Sequence, residues 1–360
     1  MTNIHDFSAV AVLARQLKLD PQRLRRLRNA FYKKRLPAEA ALAELPDDVR
    51  AEFAAHISFY ELRLVSRHDS ALDGATKLVF ATADDLLIES VILRMTSGRT
   101  ALCVSTQVGC AANCDFCATG KMGIARNLSA AQILDQLVHA SGLLLSEGRS
   151  VRNLVFMGMG EPLHNEEQLY AALDVLADPG CFHLHPNRAL VSTVGIPEAM
   201  VRFARRFPAA RLAVSLHSAR QETRAAIMPI ARRHDLAELR AALVEVATVQ
   251  GHEVMIEYLL LADVNDQPED AAALIDYVRG IPVHVNLIPY NPIAEAPHLA
   301  GSDAERREAF SRLLKAAGLP VTTRYSLGAD IAAACGQLVR AEHRRSQAQT
   351  AVPAALRSIR

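Results

Sequence analysis

The chain has 360 residues, of which 50% are apolar and 22% are charged, and its formal net charge is only +1. This composition excludes a disordered or low-complexity protein, and the length allows one large domain with a smaller accessory domain. No stretch approaches the ~20 consecutive apolar residues of a membrane-spanning helix. The opening residues "MTNIHDFSAV" lack the pattern of a secretory signal. We therefore expect a cytoplasmic protein without membrane association.

Residues 1–58 are predicted to form a small helical domain. Apolar residues recur at three- and four-residue steps in "FSAVAVLARQL", "DPQRLRRLRNAFYKKR" and "LPAEAALAEL". This is the spacing of helices with one apolar face. Asp20 followed by Pro21 is a typical start for the second helix, because proline is tolerated at the first helical position.

The same helices carry an unusual concentration of positive charge. Residues 1–37 contain nine Lys or Arg residues against Asp6 and Asp20, a local charge of +7, and Phe31 and Tyr32 are interleaved with the bases. Such a segment favours salt-sensitive binding to a nucleic-acid backbone. We predict that this domain is an accessory RNA-binding unit. The alternative is that its charges form an ordinary solvated helix face.

Beyond residue 58 the pattern changes from helical to β-rich. In the connecting segment 59–100, "TKLVFATADDLLIESVILR" places two apolar runs around Asp84 and Asp85, which predicts a β-hairpin. Residues 101–338 then alternate β-rich runs with helical patterns. This alternation, in roughly six βα units, indicates a parallel sheet that is either open or closed into a barrel. Residues 339–360 are predicted to be a loose basic tail.

Polar residues follow several of the predicted parallel strands. The β-rich runs are "LCVSTQ", "NLVFMG", "RALVST", "RLAVSLH", "EVMIEYLLL", "VHVNLIPYN" and "PVTTRYS". In α/β barrels the chemistry gathers at the carboxyl ends of the strands, so polar residues there are candidate site residues. Each of them, taken alone, also has a structural explanation as a turn residue, a cap or a buried histidine. The candidates are Gly160, Glu161, Ser192, Ser215, His217 and Asn291.

The segment "CVSTQVGCAANCDFCATG" holds four of the six cysteines. In a reducing compartment clustered thiols are more often metal ligands or catalysts than disulfides, whereas an isolated thiol such as Cys181 is typically a small buried apolar side chain. A structural zinc ion takes four protein ligands. A [4Fe–4S] cluster held only by Cys110, Cys114 and Cys117 would leave one iron open for a small chelating molecule. We favour the cluster, and a zinc site completed by Cys103 is the alternative.

The C-x3-C-x2-C spacing, with Phe116 before the last cysteine, resembles the radical SAM superfamily, in which the fourth iron binds S-adenosylmethionine. Nearly the whole chain is similar to the RlmN/Cfr family of RNA adenine methyltransferases, through "CVSTQVGCAANCDFCATGKMGIARNL", "MGMGEP", "VSTVGIP", "SLH", "LIPYN" and "AACGQL". The resemblance implies an α/β fold, a partial (β/α)6 barrel with a small N-terminal helical domain and a β-hairpin extension. It also implies one [4Fe–4S] cluster and two S-adenosylmethionine molecules per turnover.

The resemblance further implies that two cysteines outside the cluster carry the methyl group. Cys335 matches the cysteine that one S-adenosylmethionine methylates, and a second molecule, cleaved at the cluster, yields the radical that activates this methyl group. Cys103 matches the partner that releases the product through a transient disulfide with Cys335, and Glu89 matches the proton acceptor. The residues that match cofactor-binding positions are Gly160, Glu161, Ser192, Ser215, Leu216, His217 and Asn291.

The implied reaction is methylation of an adenosine in RNA, at C2 of an adenosine in 23S rRNA, with tRNA as a further candidate substrate. An electron donor such as flavodoxin or ferredoxin is the expected redox partner. Methylation at C8 of the same adenosine is the alternative, because "CATGKMG" and "ADIAAACGQL" resemble the C8 branch equally well. A radical SAM enzyme with another substrate is a third reading. The segments "PIARRH" and "SARQETR" depart from the family pattern and leave the exact substrate open.

Overall fold

The computed structural model describes residues 1–338, so the predicted basic tail, 339–360, lies outside the described residues. The strands are β1 (Thr2–Asn3), β2 (Ile57–Ser58), β3 (Arg63–Asp69), β4 (Ala75–Ala81), β5 (Leu87–Arg94), β6 (Thr100–Cys103), β7 (Gln107–Gly109), β8 (Ile124–Asn127), β9 (Asn153–Phe156), β10 (Ala189–Thr193), β11 (Arg211–Ser215), β12 (Val254–Leu260), β13 (Val283–Pro289) and β14 (Val321–Thr323). The α-helices are α1 (Phe7–Gln16), α2 (Pro21–Arg28), α3 (Ala38–Leu42), α4 (Asp47–His56), α5 (Ala118–Lys121), α6 (Ala130–Leu145), α7 (Glu166–Ala177), α8 (Pro197–Arg206), α9 (Gln221–Ile227), α10 (Leu236–Gln250), α11 (Pro268–Tyr277) and α12 (Ala304–Ala316).

A ten-stranded mixed sheet organises the fold, in the order β14-β13-β12-β11-β10-β9-β6-β5-β4-β3. Every neighbouring pair from β6 to β14 is parallel, and the pairs from β3 to β6 are antiparallel. Parallel neighbours require a crossover connection, and at least one helix lies between each two successive parallel strands. Within residues 1–338 the sheet keeps two edges, β14 and β3, instead of closing into a ring. The predicted α/β partial barrel is confirmed.

The antiparallel end of the sheet contains the predicted hairpin and one strand more. Strands β4 and β5 pair in register around the turn at Asp84 and Asp85, as predicted. Strand β3 was not predicted, because "RLVSRHD" alternates half-buried and exposed positions and contains few apolar residues. Helix α4 was also not predicted, because it buries only Phe53.

The first 59 residues have a hydrophobic core of their own. It gathers apolar side chains between Ile4 and Phe59, including Phe31 and Tyr32, and Cys181 joins it from the loop after α7. Phe31 and Tyr32 are 2% and 4% exposed, so these two rings pack inside the domain and do not stack on a nucleic acid. Cys181 is 1% exposed, which confirms that it is a buried apolar side chain.

The helical domain is fastened to the barrel by Asp135 on α6. This fully buried carboxylate accepts hydrogen bonds from the backbone amides of Glu61 and Leu62, the latter at 2.9 Å. The Nε2 atom of His5 lies 3.3 Å from the other carboxylate oxygen, and Nδ1 of His5 lies 2.9 Å from the Tyr32 hydroxyl. One carboxylate therefore joins the N-terminal strand, the connecting segment and the first barrel helix. None of the helices in residues 1–338 has the length and hydrophobicity that a membrane crossing requires.

We expect replacement of Asp135 by alanine to lower the free energy of unfolding by about 3 kcal/mol, because two buried amides and an imidazole lose their acceptor. The Asp135→Asn variant keeps one acceptor oxygen and should lose less. Denaturant unfolding of both variants measures the difference. Equal stability of Asp135→Ala and the unmodified protein would contradict this role.

Candidate active site

Two cavities open at the carboxyl ends of the parallel strands. The first encloses about 980 Å³ with its open mouth included, and the three cysteines of the C-x3-C-x2-C motif line it. The second encloses about 620 Å³ and is lined by Cys103, Val91 and Leu93 among others. The residues that line both cavities are Met157, Arg324 and Cys335. The two cavities are therefore adjacent, and Cys335 lies between them.

The cysteine loop, residues 110–123, connects the paired strands β7 and β8. At its start Gly109 has a φ of +81°, and a Cβ atom there would lie 1.9 Å from the Gly123 carbonyl oxygen, so only glycine fits this position. Two further backbone bonds hold the loop: the Asp115 amide donates to the Ile227 carbonyl at 2.9 Å, and the Cys117 amide donates to the Cys114 carbonyl at 3.2 Å. The loop is thus a fixed platform for its thiols.

The electrostatics of the three thiols fit an iron–sulfur cluster. Burial raises the pKa of Cys110 to about 12 and also raises those of Cys114 and Cys117, and the charge of Cys117 contributes to the shifts of Cys110 and Cys114. Because burial disfavours thiolates, these sulfurs require bound positive charge in order to ionise, and iron would provide it. Three converging cysteines are one fewer than the irons of a cubane, which leaves one iron for another ligand.

The alternative zinc site does not match this arrangement. Cys103, the fourth ligand in that alternative, lines the second cavity and not the first.

The loop that carries Cys335 packs directly on the cysteine loop. The Ala118 amide donates to the Gly336 carbonyl at 2.7 Å. Gly336 has a φ of +85°, and a Cβ atom there would lie 3.2 Å from the carbonyl oxygen of Phe116. The Asn291 side-chain amide donates to the carbonyl of Cys335 at 3.2 Å. Cys335 is therefore held at the edge of the first cavity by both neighbouring loops.

Cys103 ends strand β6, opposite Val91 of β5. Burial, with the nearby charge of Cys335, raises the pKa of Cys103 to about 12, while the Arg324 guanidinium opposes this shift. All six cysteines are free thiols, so the structure does not contain the transient disulfide predicted between Cys103 and Cys335.

Five of the seven predicted cofactor-binding residues line the first cavity: Gly160, Glu161, Ser192, Ser215 and His217. Glu161 is 2% exposed. Its Oε1 atom accepts a hydrogen bond from the Leu163 amide, two residues further on, at 3.0 Å, and its Oε2 atom accepts one from the Val194 amide in the loop after β10 at 2.8 Å. Burial raises the pKa of Glu161 to about 7. Gly160 has a φ of +97°, and a Cβ atom there would lie 2.5 Å from the Gln107 side chain. Its glycine identity is therefore required by the backbone.

His217 closes the wall of the first cavity. Its Nδ1 atom accepts a hydrogen bond from the Leu259 amide at 3.0 Å, which leaves the ring proton on Nε2. Burial and the neighbouring Arg224 guanidinium lower the pKa of His217 to about 3, so the imidazole is neutral. Its ring makes an edge contact with Phe116 of the cysteine loop, with the centroids 4.8 Å apart.

Three predicted site residues lie outside the cavity walls. Leu216 is fully buried in the core. Asn291 faces the Cys335 loop, as described above, and not the first cavity. Glu89 lies on β5 in a buried position, with its Oε1 atom 3.4 Å from Nζ of Lys77. On its strand, Glu89 shares a face with Val91, which lines the second cavity.

Two charged residues of the site were not predicted. Arg324, just after β14, lines both cavities, and the charges of Cys335, Glu257 and Cys103 raise its pKa. Glu257 is 2% exposed in β12; its Oε2 atom accepts a bond from Asn286 at 2.6 Å, whereas its Oε1 atom has no hydrogen-bond partner in residues 1–338. An acid inside the apolar run "EVMIEYLLL" was the available signal for Glu257.

The first cavity has the lining expected for S-adenosylmethionine. It combines the unpaired acceptor of Glu257, the hydroxyls of Ser192 and Ser215, and apolar strand ends. A ribose hydroxyl could donate to a carboxylate oxygen, and the adenine and methionine carbons suit the apolar walls. The residues present therefore fit both the cluster and its ligand.

Comparison with known proteins agrees with this geometry. Residues 104–275 match the family model described as "Radical SAM superfamily". The chain is 53% identical to "Probable RNA methyltransferase RB6963" of Rhodopirellula baltica, over 94% of this chain and 87% of that protein. It is 42% identical to "Dual-specificity RNA methyltransferase RlmN" of Anaeromyxobacter dehalogenans, over 92% of this chain and 91% of the relative.

A solved structure shares the whole architecture. The crystal structure of a radical SAM methyltransferase from Sphaerobacter thermophilus has a TM-score of 0.88 and 36% sequence identity to this chain, and the match covers 94% of this chain and 99% of that one. With the three cysteines of the C-x3-C-x2-C motif on one cavity and Cys335 beside it, the chain belongs to the RlmN/Cfr family of radical SAM RNA methyltransferases.

Proposed function

We propose that this protein methylates C2 of an adenosine in 23S rRNA, with tRNA as a further substrate, through a methyl group carried on Cys335. The observation that carries the proposal is the position of Cys335, which lines both the cavity of the cluster cysteines and the cavity of Cys103. A carrier between two sites can receive a methyl group on one side and deliver it on the other.

The first cavity is proposed to bind the cofactors. Cys110, Cys114 and Cys117 hold the [4Fe–4S] cluster, which supplies the electron for reductive cleavage of S-adenosylmethionine. Neutral His217 adds no charge to this wall, and Glu161 organises the loops around it through its two backbone hydrogen bonds. The close packing of the Cys335 loop limits the access of water to this side.

The second cavity is proposed to receive the adenine. Val91 and Leu93 give it an apolar wall, and the exposed ring of Tyr325 stands at its border. An adenine carbon is a poor nucleophile and a poor acid, so addition of a carbon radical carried on Cys335 is a suitable route. Glu89 is the proposed acceptor of the ring proton, and the cluster, oxidised when it gave its electron for the cleavage, would take up the electron that the adduct radical loses as the ring regains its aromaticity.

Product release is proposed to use Cys103. Its sulfur attacks the sulfur of Cys335, an S–S bond forms, the C–S bond breaks, and the bonding electrons pass to the departing carbon, which takes a proton to become methyl. The charge of Cys335 contributes to the high pKa of Cys103 and Arg324 opposes it. Once Cys335 carries carbon it bears no negative charge, so ionisation of Cys103 becomes easier at the step that requires it.

The basic face of the N-terminal domain is proposed to bind RNA. Arg23, Arg25 and Arg26 of α2 are exposed, and among the described residues none of them forms a salt bridge. Unpaired surface cations are free to contact phosphates. Arg28 differs, because its guanidinium packs 4.6 Å from the centroid of the Phe7 ring.

The function is tested by anaerobic purification followed by RNA nucleoside analysis. We expect iron and sulfide in the amounts of one [4Fe–4S] cluster, and 2-methyladenosine after incubation of 23S rRNA with S-adenosylmethionine and a reductant. Formation of 8-methyladenosine alone would replace the C2 assignment by the C8 alternative. A zinc-loaded protein without methyladenosine in any RNA would refute the proposal.

Replacement of either thiol should separate the two halves of the reaction. Cys335→Ser should reduce methyl transfer to background, because the oxygen does not take over the carrier role. Cys103→Ser should form an RNA–protein adduct that accumulates, because nothing breaks the C–S bond. Denaturing gels and mass spectrometry detect the adduct. Cys181→Ser is the control variant, which should retain both methyl transfer and release of the methylated RNA. Full turnover of Cys335→Ser would exclude the carrier.

Neutralising the basic face should weaken RNA binding without changing the chemistry. For Arg23, Arg25 and Arg26 all changed to Gln, we expect the slope of log affinity against log salt to fall by about 0.9 for each lost phosphate contact to paired RNA. The matched control changes three exposed but ion-paired arginines of α8, which should leave the slope unchanged. These are Arg202, Arg205 and Arg206. An unchanged slope in the α2 variant would rule out this face.

A further inference from the structure

The cluster site contains one buried cation that the reaction does not employ. Arg224 lies on α9 and is 0% exposed. Its Nη2 atom donates to the Val194 carbonyl at 2.6 Å and its Nε atom donates to the Leu216 carbonyl at 3.2 Å. Its Nη1 atom is buried and has no hydrogen-bond partner among residues 1–338. Two carbonyls thus fix the guanidinium while part of it stays unsatisfied.

No acidic side chain in the described part of the chain forms a salt bridge with Arg224, whereas the largely buried Lys77 lies 3.4 Å from the Glu89 carboxylate. An arginine keeps its charge at any physiological pH. A buried charge without a counter-charge is costly. The cost implies that an anion completes this site when the protein is functional.

The packing shows on which side that anion lies. Ile227, at the end of the same helix, accepts a hydrogen bond from the Asp115 amide in the cysteine loop at 2.9 Å. Ile227 also packs in one hydrophobic cluster with Cys110 and Cys114. The carboxyl-terminal end of helix α9 therefore packs directly against the cysteine loop.

The electrostatic neighbours agree with this placement. Burial lowers the pKa of Arg224, and only Tyr277 and Cys114 act in the opposite direction. Burial keeps the pKa of Tyr277 well above its usual range, so that phenol is neutral at pH 7. Of these two neighbours, Cys114 alone is anionic when it ligates iron.

We propose that Arg224 is the counter-charge of the iron–sulfur cluster, a fixed cation behind Cys114 that stabilises the reduced cluster and raises its reduction potential. The inference rests on the cluster that the proposed function requires. Reduction adds one electron to the cluster, so a permanent positive charge beside it favours the reduced form. Arg224 is a positioning residue in this sense, because it acts through the cluster and touches no substrate.

The test is the reduction potential of the purified holoenzyme without S-adenosylmethionine. Dithionite supplies one electron per cluster in an anaerobic titration, and electron paramagnetic resonance of the reduced cluster measures the midpoint. For Arg224→Gln we expect the equilibrium constant for reduction to fall at least tenfold, a shift of 59 mV to more negative potential. Arg224→Lys keeps the charge and should stay within tenfold of the unmodified enzyme.

Arg205→Gln is the matched control, because it removes an exposed arginine of α8 that pairs with Glu245 of α10 and should not move the potential. Equal potentials in Arg224→Gln and the unmodified enzyme would overturn the proposal. If Arg224→Gln loses the cluster or fails to fold while Arg224→Lys retains both, charge is the requirement and the proposal stands. If both variants lose the cluster, hydrogen bonding is the requirement and the proposal fails. An unmodified enzyme without any cluster would instead refute the proposed function.

Discussion

The active site depends on the contact between two loops that are distant in sequence. The hydrogen bond from the Ala118 amide to the Gly336 carbonyl, with the close approach that only glycine allows at position 336, holds the Cys335 loop against the cysteine loop. Asn291 adds a third point of attachment through the Cys335 carbonyl. The proposed one-carbon carrier would have a short reach, so its sulfur would need to be placed by rigid backbone contacts such as these.

Burial controls the chemistry of nearly every group around this contact. It raises the pKa of Cys103 and of Cys110, and it holds His217 neutral. Positive charge is correspondingly scarce and localised: Arg324 lines both cavities, and Arg224 is buried on α9, whose end packs against the cysteine loop. Ionisation of these thiols would therefore require positive charge bound beside them.

The sequence was sufficient for the parallel sheet and for most of the first cavity, because both follow from local patterns: alternating β and α runs, and polar residues after strands. It was insufficient where long-range packing decides. Phe31 and Tyr32 are interleaved with basic residues in the sequence, but in the structure their rings belong to the core of the helical domain. Arg324 directly follows the short edge strand β14, and no motif surrounds it in the sequence. Only the fold brings it next to Cys103 and Cys335.

The position of Cys335 in the chain has a consequence for how the enzyme is made. The cysteine loop is synthesised in the first third of the chain, whereas β14 and the Cys335 loop emerge close to the end. A nascent chain therefore contains all three proposed cluster ligands before its proposed methyl carrier is synthesised. Translation that stops before β14 would leave a chain with these ligands and without that carrier.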